Sequence, residues 1–109
     1  MTIKIIDNNK LILRSKSGIR FISLQEILYF ERFNNMTYII TSDDEFHTRN
    51  SLKSIEKLLP KYYKRAHRSF IININKISEL RMLNTNVYEA YFPGDKQALI
   101  TKEIVGDLI

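Results

Sequence analysis

Lys64-Arg65-Ala66-His67-Arg68-Ser69-Phe70-Ile71-Ile72-Asn73-Ile74-Asn75-Lys76-Ile77 sets four basic or imidazole-bearing side chains in a five-residue window directly ahead of an apolar run. Phe70 to Asn73 carry the aromatic and β-branched bulk that suits a buried strand. If that strand ran unbroken through Arg68, the guanidinium would share a face with Phe70 and Ile72 and enter the core. A turn or bulge over Ala66 to Ser69 is therefore expected, aiming Arg68 outward. Arg65, His67 and Arg68 held close together repel one another unless anionic groups neutralise them. Two readings fit this spacing: a solvated basic loop with His67 bonded to local backbone, or a site for phosphates or carboxylates.

Outward from this run, short apolar or alternating segments are separated by turn clusters, the pattern of a mainly β domain built from many short strands. Strands are expected over Lys10 to Arg14, Ile19 to Ile22, Leu28 to Phe33, Tyr38 to Thr41 and Glu45 to Thr48. Others follow over Phe70 to Asn73, Ile77 to Leu83, Val87 to Phe92 and Ala98 to Thr101. Asp7-Asn8-Asn9, Ser17-Gly18, Asn34-Asn35, Ser42-Asp43-Asp44, Asn84-Thr85-Asn86 and Pro93-Gly94-Asp95 mark the turns. Leu52, Ile55, Leu58 and Leu59 recur at helical spacing, predicting one short helix over residues 51–59, capped by Asn50 or Ser51 and stopped by Pro60. Lys102 to Ile109 can form a further helical turn with Ile104, Val105 and Leu108 inward, against which Gly106 counts. No repeat or linker divides the 109 residues, so a single domain over 1–109 is expected, with N-terminal strands within 1–18.

Composition limits the function. The chain is 44% hydrophobic and 27% charged, as a small globular domain is, and a deep catalytic pocket is not expected at this size. Seventeen Lys and Arg against twelve Asp and Glu give a net charge of +5, which favours an anionic partner. The absence of cysteine excludes a disulfide framework or a thiolate zinc site. Met1 to Asp7 lacks the apolar core of a signal peptide and no apolar run approaches a bilayer span, so a cytoplasmic protein without membrane insertion is expected. His47, His67 and scattered carboxylates form no ligand, nucleophile or phosphate-loop signature. No catalytic residue, metal or cofactor is therefore expected. An RNA module would need an exposed aromatic stacking pair, and none is recognised.

Two further segments gather polar and charged groups. Arg32-Phe33-Asn34-Asn35-Met36-Thr37-Tyr38 holds a cation, two amides, a hydroxyl and a phenol, able to meet base edges and phosphates or, equally, to serve as ordinary turn chemistry. Ile100-Thr101-Lys102 ends the last strand with a hydroxyl and an ammonium, groups that are commonly just solvated there.

In order, Ile27-Leu28-Tyr29-Phe30-Glu31, Asn34-Asn35, Ser51-Leu52 to Leu59-Pro60 with Tyr63, and Arg65-Ala66-His67-Arg68-Ser69-Phe70-Ile71-Ile72-Asn73 resemble the LytTR family of DNA-binding domains, from about Ile19 to Lys102. The resemblance implies small antiparallel sheets with little helix. It also implies double-stranded DNA as the partner, bound at promoter repeats and bent, with loops in two successive major grooves. Carried over by position, Thr37, Arg68 and Lys102 would reach bases or grooves. Arg32, Asn34, Asn35, Tyr38, Arg65, His67, Ser69 and Thr101 would touch phosphate or support those contacts. Lys102 and Thr101 stand where the family usually has Arg and Ser, and Glu103-Ile104-Val105 replaces the aromatic that often follows. A mobile ammonium grips a base less selectively than a guanidinium fork. Family members often follow a receiver domain, for which these residues leave no room, so a stand-alone bacterial transcriptional regulator or an excised output domain of a two-component response regulator is expected. Repeated half-sites make a homodimer on DNA a further expectation. The competing expectation is a protein-interaction module whose basic face binds an acidic regulatory partner.

Overall fold

The computed structural model describes residues 2–109; Met1, counted above with the N-terminal strands, lies outside them. Eleven strands and two short helices follow one another along these residues. Strands β1 (Thr2–Ile6), β2 (Lys10–Ser15) and β3 (Gly18–Ser23) form a meander. A five-stranded antiparallel sheet comprises β4 (Ile27–Phe33), β5 (Met36–Thr41), β6 (Glu45–Thr48), β7 (Tyr63–His67) and β8 (Phe70–Asn73), in the order β6-β5-β4-β8-β7. Helix α1 (Leu52–Glu56) connects β6 to β7. A second three-stranded sheet pairs β10 (Val87–Phe92) with β9 (Glu79–Met82) and β11 (Lys96–Thr101), and α2 (Lys102–Leu108) follows.

The large sheet is the middle layer, which explains why its strands read as continuous apolar runs. On one face Ile27, Phe30, Ile39 and Ile71 pack with Leu11, Leu13 and Ile22 of the first sheet and Leu52 and Ile55 of α1. On the other face Tyr29, Ile40, Phe70 and Ile72 pack with Ala90, Phe92, Ala98 and Ile100 of the third sheet and Val105 of α2. A bulge between Ile27 and Tyr29 puts Ile27 and Phe30 on one side and Leu28 and Tyr29 on the other, so four consecutive residues are buried. The Tyr63 hydroxyl lies 2.6 Å from the Leu24 carbonyl and 2.8 Å from that of Ile27, which also accepts from Asn73 Nδ2 at 3.2 Å. These bonds tie β7 and β8 to the entry of β4.

The helices differ in extent from the sequence reading. Ser51 Oγ caps α1 by accepting from Ser54 N at 3.1 Å, and the regular helix ends at Glu56 rather than reaching residue 59. Beyond it the chain tightens into i to i−3 bonds from Leu58 to Ile55 and from Leu59 to Glu56, turning Leu58 to solvent at 44% exposure. The C-terminal segment is a true second helix over Lys102–Leu108. Gly106 is exposed there and a methyl group would meet nothing, so it costs helix propensity without breaking the packing.

Candidate nucleic-acid interface

Antiparallel pairing of β4 with β8 brings two turns to one end of the central sheet. Glu31 pairs with Phe70, and Arg32 N–H donates to the Ser69 carbonyl at 2.8 Å, so the β4–β5 turn lies beside the β7–β8 turn. Asn34 and Asn35 fill the β4–β5 turn with φ of 49° and 63°. Two left-handed residues give the turn whose twist matches a tight hairpin, and Asn tolerates that backbone better than most side chains do. Both amides project into solvent.

The expected break ahead of Phe70 has two parts. A bulge at Ala66 buries that residue, and Arg68-Ser69 then turns the chain into β8. Arg65 holds this turn: its Nε donates to the His67 carbonyl at 3.1 Å and its Nη2 to the Arg68 carbonyl at 2.7 Å. Its Nη1 stands 3.6 Å from Glu56 of α1. His67 Nδ1 accepts from Ser69 N–H at 3.1 Å, which fixes the neutral ring as the Nε2–H tautomer. Burial, reinforced by Arg68 and Arg65, holds this imidazole below its ordinary pKa. The Arg68 side chain is exposed and, among the described residues, has no ion-pair partner.

Thr37 is corrected by its burial. The expectation that it faces a base edge fails on geometry, because it is fully buried. It shares a strand face with Ile39, and its hydroxyl donates to the Asn50 carbonyl at 2.6 Å. Arg32 Nη1 donates to that hydroxyl at 3.0 Å and reaches the carbonyls of Arg49 at 3.2 Å and Asn50 at 3.1 Å. Arg32 and Thr37 thus fix where β6 leaves the sheet for α1. Tyr38, on the opposite face, is half-buried with its ring 6.3 Å from that of His47.

The third predicted segment joins the same region. Thr101 caps α2 through a long bond from Ile104 N–H at 3.5 Å, and Lys102 N–H donates to the Asn86 carbonyl at 2.9 Å. His67, Asn86, Thr101 and Lys102 line one shallow depression, so the β7–β8 turn and the β11–α2 junction are neighbours. Lys102 is exposed, with no ion-pair partner among the described residues. Among those residues there is also no cluster of metal-ligating side chains, and no helix long and apolar enough to cross a membrane.

The family profile of the LytTr DNA-binding domain matches residues 17–108. The chain belongs to this family. The transcriptional regulatory protein NatR of Bacillus subtilis is 34% identical over 98 residues, covering 88% of the chain and 42% of that protein. The sensory transduction protein LytT of Bacillus cereus is 30% identical over 104 residues, covering 94% and 42% respectively. This LytTr domain therefore spans about two fifths of the length of those relatives. A solved LytTr DNA-binding domain from Bacillus cereus has the same fold, with a TM-score of 0.78 over 92% of this chain and 93% of that one at 22% identity.

Sequence reasoning missed one exposed cation in this LytTr domain. Arg49 follows β6 at the sheet end that carries the Asn34-Asn35 turn, since Thr48 pairs with Thr37, and its carbonyl is held by Arg32. The available signal was its position, the first residue past a strand whose partner begins at the candidate turn.

Proposed function

We propose that the domain binds double-stranded DNA sequence-specifically through this sheet end, as the DNA-reading part of a bacterial transcriptional regulator acting in the cytoplasm. The observation that carries the reading is the convergence of Asn34, Asn35, Arg68 and Lys102 on neighbouring turns, with Arg65 and His67 pinning the β7–β8 turn and Arg32 the adjoining β6–α1 junction. Rigid backbone with mobile cations at the tips lets phosphate contacts set the register while base-edge contacts choose the sequence. Arg68 makes the central contact and Lys102 the second-groove contact. Asn34 and Asn35 read at the first groove in place of Thr37, with Arg32, Tyr38, Arg65, His67, Ser69 and Thr101 as support.

The proposed footprint covers two successive major grooves, with a bend that closes the duplex onto both. Repeated promoter half-sites would seat two copies on one duplex. The domain serves as a single unit, either alone or as the output part of a response regulator. Selection of bound duplexes from a random pool tests the reading. Arg68→Ala should then weaken binding to the selected site by about 1–3 kcal/mol. Unchanged affinity at fixed salt removes Arg68 from the interface.

The outer face of the first sheet supports a second reading. Ile12, Ile19 and Phe21 lie together there among Lys4, Lys10 and Arg14, with Phe21 65% exposed. That surface suits a regulatory protein with an acidic, partly apolar face. A domain that preferred no duplex over random sequence while holding such a partner would make this reading the better one.

A further inference from the structure

We propose that the cleft between the β2–β3 hairpin and β6 is an additional DNA-backbone site, which extends the footprint beyond the turns by gripping flanking phosphates. The inference rests on the DNA reading above. Lys16, at the hairpin tip, lines this cleft with Arg20, Phe46, His47 and Arg49, and among the described residues Glu45 is the only carboxylate lining it. Three permanent cations and an imidazole against one acid make the cleft a positive groove, and like charges lining one groove favour an anion between them.

The walls come from two sheets. Arg20 lies with its guanidinium carbon 5.4 Å from the centre of the Phe46 ring, which holds the side chain along the wall. Lys16, Arg20 and Arg49 have no ion-pair partner among the described residues. Continuity with the turns decides the ligand. Arg49 closes the cleft at the sheet end bearing Asn34 and Asn35, because Arg32 bonds its carbonyl and Thr48 pairs with Thr37. A duplex seated on the turns therefore has its backbone within reach of the cleft. Lys16 is a mobile ammonium and Arg20 is held against the Phe46 ring, so the contribution of these two is affinity rather than sequence choice.

The test is a salt titration of the full chain by fluorescence anisotropy, on the selected duplex and on an unrelated duplex of equal length. Lys16→Ala and Arg20→Gln are each expected to lower the slope of log K against log salt by about 0.9, which amounts to roughly eightfold in affinity at 0.1 M salt relative to 1 M. The loss should be equal on both duplexes. Lys10→Ala removes the same charge from the opposite end of β2, where Lys10 pairs with Ile6 and Ser23, and should leave the slope unchanged. Lys16 sits on an exposed turn, so its variant keeps the test valid even if Arg20→Gln perturbs the Phe46 contact. An unchanged slope for Lys16→Ala, an equal drop for Lys10→Ala, or a loss confined to the selected duplex would each overturn the cleft while leaving the turns as the DNA site. Absence of duplex binding by the wild-type chain would instead overturn the DNA reading itself.

Discussion

Arg65→Ala separates support from contact at the β7–β8 turn. Arg65 makes two charged-donor bonds to consecutive turn carbonyls, at 3.1 and 2.7 Å. Bonds to charged groups contribute about 1.5–3 kcal/mol when shielded, but this turn is open to water, so about 1 kcal/mol each is appropriate. The Glu56 pair adds little, because the two side chains are 33% and 46% exposed at a 3.6 Å separation. Arg65→Ala should therefore destabilise the fold by about 2 kcal/mol. For a domain of this size that lowers Tm by roughly 10 °C. Urea denaturation should show a lower midpoint with an unchanged m-value, and thermal melting should agree. DNA affinity should fall less than it does for Arg68→Ala, with no change in the salt slope. A loss below about 0.5 kcal/mol would refute the argument. So would a lower salt slope without loss of stability, which would put Arg65 against phosphate.

Thr37→Val keeps the shape of a buried side chain and removes its hydroxyl. It should cost about 1–2 kcal/mol in urea unfolding while leaving the ranking of selected duplexes intact; a changed ranking would restore Thr37 as a reading residue. His67 has a folded pKa held below its unfolded value, so the unfolded chain takes up more protons at acid pH. Its contribution is fully present above about pH 6.5 and is lost as pH falls through the folded value. Melting curves of wild type and His67→Gln should diverge across that window, with the wild type losing more stability on acidification. Gly94→Ala should destabilise by more than about 2 kcal/mol, because φ is +77° and a Cβ would stand 2.6 Å from the Ser42 carbonyl oxygen; a Tm within about 2 °C of wild type would refute this.

Much of the fold was legible because burial and residue type agree along each strand. Glu45–Thr48, Phe70–Asn73 and Val87–Phe92 lie where alternation and β-branched bulk place them. β7 was not legible as a strand, since only Tyr63 and Ala66 are buried while Lys64, Arg65 and His67 give it the look of a polar loop. β9 is shorter than Ile77 to Leu83, because the tight turn Ile74–Lys76 uses the preceding residues and Ser78 is bonded to Tyr91. Within the site, the ordered motifs located the three segments, but side-chain direction came only from the third dimension. Thr37 is polar yet faces inward because it shares a register with Ile39, and Arg32 and Arg65 are spent on carbonyls that sequence cannot pair with them. Arg68 and Arg65, three residues apart and chemically alike, therefore divide into a free tip and a brace.

The Asn34-Asn35 turn also limits how such a domain can change its target over evolution. Its two left-handed residues join β4 and β5, which Phe30 and Ile39 on one face and Tyr29 and Ile40 on the other lock into a core on both sides. Substitutions at these positions must tolerate left-handed backbone, which leaves Asn, Gly and Asp as the inexpensive choices. New preferences should therefore arise first at Arg68 and Lys102, whose exposed side chains can be exchanged freely, while the hairpin keeps its shape and acts as the fixed reference against which altered tips are aligned.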